Sequence, residues 1–486
     1  MIFAVLAAAY IRLSFGVPKN SDDASVVQRA QDVLRGNIIL RGWTLGPDNF
    51  FTLLLPLYAV AGLFVPRLSL LMYVVNPLVY AFMVSACLAI GWKYTEPCHR
   101  LIGMSLLFAV VALPSTLLAE NLLHEVHVPA VLCALLTFYL IVADYSLALA
   151  ALPLILADIG YPFALYVGNL PVALVGIWLG LKAGQRRYFR FVVLAVSCAL
   201  VSKGALAGLQ LLGGFKTQPL ITRFVSMDQL PHNFYLFCES ILNLFGADFF
   251  GRDVFNLGTG VILIHAAVIV LVIWAVCEAG VRVIKGEESL MIALLWASLA
   301  FNLMAFVFST SPLDAGTARY LVTVPVFGAL IAAMSWQKLG GEKYAVYVLP
   351  VVACAYVGAF AVQVFRPIAK PPVNVIRFLE ENGLREGYGS YWSASILSVI
   401  SDGKIAVRQV AAGREGMVPL RWLSSEDWYA MKDARFLIFK DTAFGVNLHT
   451  AIRSWGSPMR VEQIDGYTVA VWDSAIGVPL HGDFPP

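Results

Sequence analysis

Long apolar runs separated by short polar segments dominate the chain up to about residue 365. A helix that crosses the hydrocarbon core of a bilayer needs about 20 mostly apolar residues. The pattern therefore predicts about eleven membrane-spanning helices. The candidate spans are 1–17, 68–91, 101–119, 128–144, 145–157, 162–181, 191–212, 258–281, 289–308, 319–336 and 344–365.

Two segments between these spans are long, 18–67 and 213–257, and loops of this length are usually functional. Each contains a shorter apolar stretch. Pro56 and Gly62 interrupt the stretch 50–65, which is too short to span and is predicted to lie along the membrane surface. Residues 234–244 are interpreted in the same way.

The composition supports a membrane protein. The chain has 486 residues, of which 59% are apolar and 13% charged, whereas soluble proteins carry about 25% charged residues. The net charge of +3 and the absence of a Lys/Arg-rich run argue against nucleic-acid binding. The seven cysteines are scattered without a Cys-x-x-Cys spacing, which argues against a disulfide framework or a zinc site.

Lys and Arg in the short loops predict the orientation. The first run lacks the basic start and cleavage site of a signal peptide and is interpreted as a retained helix. With the N-terminus in the cytoplasm, the basic loops 92–100, 182–190, 282–288 and 337–343 are all cytoplasmic. An odd number of spans then places the C-terminal region outside the cytoplasm.

The sequence divides at about residue 366. Residues 1–365 form the predicted transmembrane domain, and residues 366–486 form a predicted small α/β domain outside the membrane. The predicted elements are helices 373–381 and 447–455, strands 404–410 and 434–439, and a hairpin of 460–464 with 467–472 around Asp465-Gly466.

Asp22 and Asp23, just after the first span, are the main candidates for catalysis. Ser21 or one of the two aspartates could instead cap a helix over 26–34. The catalytic alternative is a general base at the boundary of water and lipid, where partial burial suits a carboxylate to take a proton from a hydroxyl group.

Further polar residues lie near the same predicted outer ends of the spans. His124 and His127 are three residues apart and could share a helix face with Glu120 or Glu125, which is compatible with a divalent metal site. Unpaired His and Glu at the interface are the simpler interpretation. Asp158 is predicted to lie in a tight turn between two spans, or to cap the following helix.

Three cations are candidates for phosphate binding. Arg319, next to Tyr320, begins the tenth predicted span, and Arg252 lies in the second long loop. Arg binds phosphate oxygens through two hydrogen bonds; pairing of Arg319 with Asp314 is the alternative. Lys203 falls inside the seventh span, where a lysine suggests function, although its long side chain can also reach the surface.

The first long loop resembles that of the GT-C membrane glycosyltransferases. The resemblance rests on residues 21–24, 32–36 and 41–43, and is supported by 120–127, Asp158, Arg319-Tyr320 and a Tyr391-Trp392 strand in the C-terminal domain. This superfamily includes the protein O-mannosyltransferases, the aminoarabinose transferases of lipid A and the rhizobial lipopolysaccharide core sugar transferases.

The resemblance implies inverting transfer of a sugar from a polyprenyl-phosphate or diphosphate donor to a lipid, glycan or protein acceptor, at the outer face of a bacterial inner membrane. Asp22 would be the base, with Asp23 as alternate or as a ligand of substrate or metal. Arg319, Arg252 and Lys203 would neutralise the leaving phosphate, and Tyr320, Asp158, His124 and Glu125 would line the substrate site.

Two other classes compete with a transferase. A transporter or flippase would show internal repeats and ionisable groups in the middle of the membrane. The two halves show no obvious repeat, and most notable charges fall at span ends. An anchor that presents the C-terminal domain to a partner needs fewer spans than the sequence predicts.

Overall fold

A computed structural model describes residues 2–124, 127–182, 184–219, 221–249, 251, 253, 255–336 and 342–479. The helices are α1 (Ile2–Ser14), α2 (Ser21–Leu34), α3 (Leu54–Gly62), α4 (Leu68–Tyr94), α5 (Arg100–Leu107), α6 (Thr116–Leu123), α7 (Val128–Val142), α8 (Leu147–Gly160), α9 (Leu170–Lys182), α10 (Phe189–Leu211), α11 (Leu230–Phe245), α12 (Leu257–Lys285), α13 (Leu290–Phe308), α14 (Thr323–Met334), α15 (Glu342–Val364), α16 (Val373–Glu381), α17 (Tyr391–Ile400) and α18 (Leu448–Trp455).

The strands lie mainly in the last quarter of the chain. They are β1 (Trp43–Leu45), β2 (Lys216–Thr217), β3 (Glu386–Gly389), β4 (Ala406–Ala412), β5 (Met417–Pro419), β6 (Ser424–Ser425), β7 (Phe436–Phe439), β8 (Arg460–Ile464) and β9 (Tyr467–Val471). Short π-helical segments, Phe108–Ala112 and Leu165–Asn169, continue α5 and precede α9. Short 3₁₀ helices include Arg186–Tyr188, Ala315–Leu321, Glu426–Tyr429 and Ala443–Gly445.

The chain forms two compact units. The first contains residues 1–16, 76–205 and 221–367, and the second contains 17–75, 206–220 and 368–486. The sequence predicted a separate domain from 366 onwards. The last segment of the second unit begins close to that point, at residue 368, but the unit also contains the whole first long loop.

The first unit is built from apolar helices. Among the described residues, five helical segments are long and apolar enough to cross a membrane, or up to seven if two bent pairs each count as one span. The bends measure 69° between 100–112 and 116–123, and 40° between 315–321 and 323–334. The remaining four predicted spans coincide with shorter apolar helices, α1, α7, α8 and part of α15, so the count of eleven stays a prediction.

Capping side chains define several helix ends in the first unit. Ser289 accepts a hydrogen bond from the backbone N–H of Ile292 at the start of α13, and Asn256 caps α12 in the same way. Gly286 ends α12 with φ of 76°, a conformation that glycine adopts without steric cost. The apolar stretches in the two long loops are helical, as α3 and α11, while their position on a membrane surface stays a prediction.

The second unit contains a six-stranded sheet in the order β5-β4-β3-β7-β9-β8. Strand β3 pairs in parallel with both β4 and β7, and the other neighbours are antiparallel. The Asp465-Gly466 turn of the β8–β9 hairpin is confirmed, with φ of 52° and 77° at its two residues. Helices α16 and α18 are also confirmed, and Asn447 caps α18.

One prediction for this sheet is wrong. Tyr391-Trp392 was expected in a strand, but Tyr391 begins helix α17 directly after β3 ends at Gly389. Gly389 packs against the neighbouring strand, since a Cβ atom there would lie 2.9 Å from the Ile438 carbonyl oxygen. The chain therefore leaves the sheet at this glycine and turns into α17, which packs on α2.

Candidate active site in the first long loop

Helix α2 begins with a reciprocal cap. The Asn20 side-chain oxygen accepts hydrogen bonds from the backbone N–H groups of Asp22 at 2.9 Å and Asp23 at 3.1 Å. The Asp23 Oδ2 atom accepts one from the Asn20 N–H at 3.1 Å. The capping residue is therefore Asn20, not Ser21 or an aspartate, and the helix begins at Ser21 rather than at residue 26. Both aspartates lie in its first turn, where negative charge is favourable.

Asp23 is a buried member of an ion pair. Its side chain is fully buried and its Oδ1 atom lies 4.0 Å from the Lys19 Nζ atom, whose side chain is 1% exposed. The same ammonium group lies 5.6 Å from the centre of the Tyr73 ring. These contacts give Asp23 a role in holding the start of α2, and its role as an alternate base or ligand stays a prediction.

Asp22 differs from its neighbour because its side chain is partly exposed. The Tyr391 hydroxyl donates a hydrogen bond to the Asp22 Oδ1 atom. Tyr391 is 4% exposed and belongs to the C-terminal segment of the chain. The carboxylate thus keeps access to solvent while a buried tyrosine fixes its orientation, which is the arrangement that a general base requires.

Arg29 stabilises the helix below this pair, and the sequence analysis missed it. The guanidinium is fully buried and donates to the Ser25 carbonyl and hydroxyl oxygens at 3.2 and 3.1 Å and to the Asn49 carbonyl oxygen at 2.8 Å. Its Cζ atom lies 5.5 Å from the centre of the Phe50 ring. The only sequence signal was its place among the apolar residues of α2.

The 41–43 motif has a structural role. Strand β1 pairs with β2 in parallel and with β6 in the antiparallel direction, so it joins three distant parts of the chain in one small sheet. The Trp43 indole N–H donates to the Asp32 carboxylate at 2.8 Å, and Asn37 donates to the same oxygen at 2.7 Å. This sheet and these bonds fix the first long loop against the C-terminal segment within the second unit.

Arg319, Tyr320 and His127 come together in the first unit. The His127 ring is 3% exposed and stacks on Phe163 and Tyr320, with ring centres 4.3 and 5.0 Å away. Neither of its nitrogens has a hydrogen-bond partner among the described residues. Burial, together with the charge of Arg319, lowers the pKa of His127 to about 3, so the imidazole is neutral at pH 7.

Asp158 and Lys203, two further predicted site residues, lie on helices α8 and α10. Asp158 lies in the last turn of α8, not in a turn between helices, because α8 continues to Gly160. Both of its carboxylate oxygens accept from the buried Asn169 side chain, at 2.5 and 2.6 Å. Lys203 is exposed on α10.

The metal prediction is only partly covered by the structure. Glu120 lies within α6 and His124 directly after its end, and both are partly exposed. Within the described ranges no group of three or more His, Cys, Asp or Glu side chains is placed to hold a metal. Two predicted site residues, Glu125 and Arg252, lie outside those ranges, as does the loop 337–341.

The candidate residues therefore fall in two places, Asp22, Asp23 and Tyr391 in the second unit and Arg319, Tyr320 and His127 in the first. The sequence matches no protein-family model and has no significant match to a curated protein.

Proposed function

We propose that this chain is a GT-C-type inverting glycosyltransferase, which transfers a sugar from a polyprenyl-phosphate-linked donor to an acceptor hydroxyl group at the outer face of a bacterial inner membrane. The proposal includes eleven spans, a cytoplasmic N-terminus and an extracytoplasmic C-terminal segment. The observation that carries it is the partly exposed carboxylate of Asp22, which accepts a hydrogen bond from the buried Tyr391.

The contrast between the two aspartates supports a role for Asp22 as the base. The acceptor oxygen forms a bond to C1 of the donor sugar while the bond from C1 to the phosphate oxygen breaks. The acceptor proton passes to the Asp22 carboxylate, and the polyprenyl phosphate leaves with the bonding electron pair. A single displacement of this kind inverts the configuration at C1 and requires one base within hydrogen-bond reach of the acceptor.

The remaining proposed site residues would bind the phosphate group of the donor. Arg319, with Arg252 and Lys203, would neutralise the charge that develops on the leaving group, which is typically a large part of catalysis. A divalent metal at His124 and His127, with Glu120 or Glu125, stays a secondary hypothesis.

A transporter or flippase is the second candidate, and the two bent helix pairs favour it. Broken helices are found at the substrate sites of transporters, and the two breaks here lie between 100–112 and 116–123 and between 315–321 and 323–334. In that case a lipid-linked or polar substrate would cross the membrane without a covalent change.

One experiment separates the two candidates. The purified protein in nanodiscs is incubated with a panel of radiolabelled polyprenyl-phosphate sugars, and release of free polyprenyl phosphate is measured with and without a membrane extract as the acceptor source. We expect release from at least one donor, increased by the extract. Absence of release from every donor, together with movement of the same lipids across proteoliposomes, would refute the transferase.

A further inference from the structure

Two exposed aromatic rings flank the tyrosine that orients Asp22. The ring centre of Trp392 lies 4.7 Å from that of Tyr391 at an interplanar angle of 76°, and that of Phe444 lies 5.8 Å away at 72°. Trp392 is 44% exposed and Phe444 is 41% exposed, while Tyr391 between them is 4% exposed. The surface next to the candidate base is therefore aromatic and accessible.

The backbone of Phe444 is strained. Its φ and ψ angles of 54° and 29° lie in the left-handed region, which bulky residues seldom adopt. Glycine adopts this conformation freely, and the following residue, Gly445, has φ of 73°. A large exposed ring in a position that favours glycine is not explained by burial, and such strain is concentrated at functional sites.

The surroundings indicate what kind of ligand fits. An extended peptide would be expected to add to an open sheet edge, but β3, the strand before Trp392, is paired on both sides. Aromatic rings offer apolar surface, and the neighbouring Asp22 carboxylate offers a hydrogen-bond acceptor. A sugar ring presents both an apolar C–H face and hydroxyl groups, so it matches this combination.

We propose that Trp392 and Phe444 form the acceptor-binding surface of the enzyme and that the acceptor is a pyranose ring of a glycan or glycolipid. The ring stacks on the two aromatic side chains and points one hydroxyl group at Asp22. This inference rests on the proposed function, because it names the acceptor class for the same base.

The test measures binding of methyl β-D-glucopyranoside and methyl β-D-galactopyranoside to the full-length protein in nanodiscs by saturation-transfer NMR. Trp392→Ala and Phe444→Gly are compared with wild type. We expect Phe444→Gly to fold, because glycine suits the backbone at this position. Met459→Ala is the control. Met459 is an apolar residue of the same unit with 57% exposure, and it does not belong to the aromatic group of Tyr391, Trp392 and Phe444.

We expect wild type and the Met459 variant to bind a pyranoside and both aromatic variants to bind it about tenfold more weakly. Unchanged binding in both aromatic variants overturns the inference. So does a wild type that binds a Ser-containing peptide but no pyranoside. Donor release is measured on the same samples, so that failure of the acceptor surface is distinguished from failure of the transferase proposal.

Discussion

Replacing Asp23 with Asn tests whether the two adjacent aspartates have different roles. The amide keeps an oxygen that can accept the Asn20 N–H bond, so the cap survives and only the charge is lost. The Lys19 ammonium, 1% exposed and 4.0 Å away, then faces a neutral group. Breaking a buried ion pair costs about 3–5 kcal/mol. Neutralising the partly exposed Asp22 removes a favourable charge from the first helical turn, which costs about 0.3–1 kcal/mol.

The assay is thermal unfolding in detergent followed by tryptophan fluorescence. We expect a large fall in Tm for Asp23→Asn and a small one for Asp22→Asn. The double variant Lys19→Met/Asp23→Asn removes both charges and should recover most of the loss, because a buried pair replaced by neutral groups is often no less stable. Equal losses in the two single variants, or no rescue in the double variant, would refute the assignment of Asp23 to structure.

Three further predictions follow from single contacts. Tyr391→Phe removes a hydrogen bond that favours the ionised form of Asp22, so the acidic limb of the pH–rate profile should move to higher pH. Tyr388→Phe should leave the limb in place. An unmoved limb in Tyr391→Phe would argue against orientation of Asp22 by Tyr391. Arg29→Lys cannot reproduce all three guanidinium bonds and should lower Tm clearly in the same fluorescence assay, and an unchanged Tm would show that these bonds matter little. Hydrogen bonds from Asn374 hold the pKa of Asp465 below its usual 3.8, so Asp465→Asn should lower the stability of the protein at pH 7. The difference in stability between wild type and variant should disappear as the pH falls below 3.8, because the wild-type carboxylate then becomes protonated. A difference that persists in acid would contradict this linkage.

Local sequence signals predicted the C-terminal elements well. The Asp465-Gly466 turn can form a tight hairpin because both residues tolerate positive φ, and the structure has this hairpin. The cap of α2 was harder to assign because four consecutive residues, 20–23, are all good capping residues. In the structure Asn20 is the cap, while the Asp23 side chain is buried beside Lys19.

The association of distant segments was not predictable from local patterns. Strand β1 has three residues, and its partner in β6 lies nearly 400 positions further along the chain. The hydrogen bond from Tyr391 to Asp22 also joins segments that are distant in the sequence, because it depends on α17 packing on α2. A periodic pattern identifies a buried helix face but not which other helix covers it.

Span length was also difficult to infer. The run 101–119 reads as one apolar segment, yet the helix bends by 69° between Ala112 and Thr116. Pro114 lies at this break and cannot donate a backbone hydrogen bond, so it disfavours a continuous helix. The helices α1 and α7, with 13 and 15 residues, are shorter than the runs that predicted their spans.

The most direct test of the central claim is turnover by Asp22→Asn against wild type, with a polyprenyl-phosphate sugar that wild type uses and with donor binding measured in parallel. Asp402→Asn is the control, because Asp402 is an exposed aspartate of the same unit with φ of 52°, a conformation that Asn tolerates. The account predicts a loss of about 10²–10⁴-fold in kcat for Asp22→Asn, unchanged donor affinity, and full activity in the control. Wild-type turnover by Asp22→Asn would contradict the assignment of Asp22 as the catalytic base.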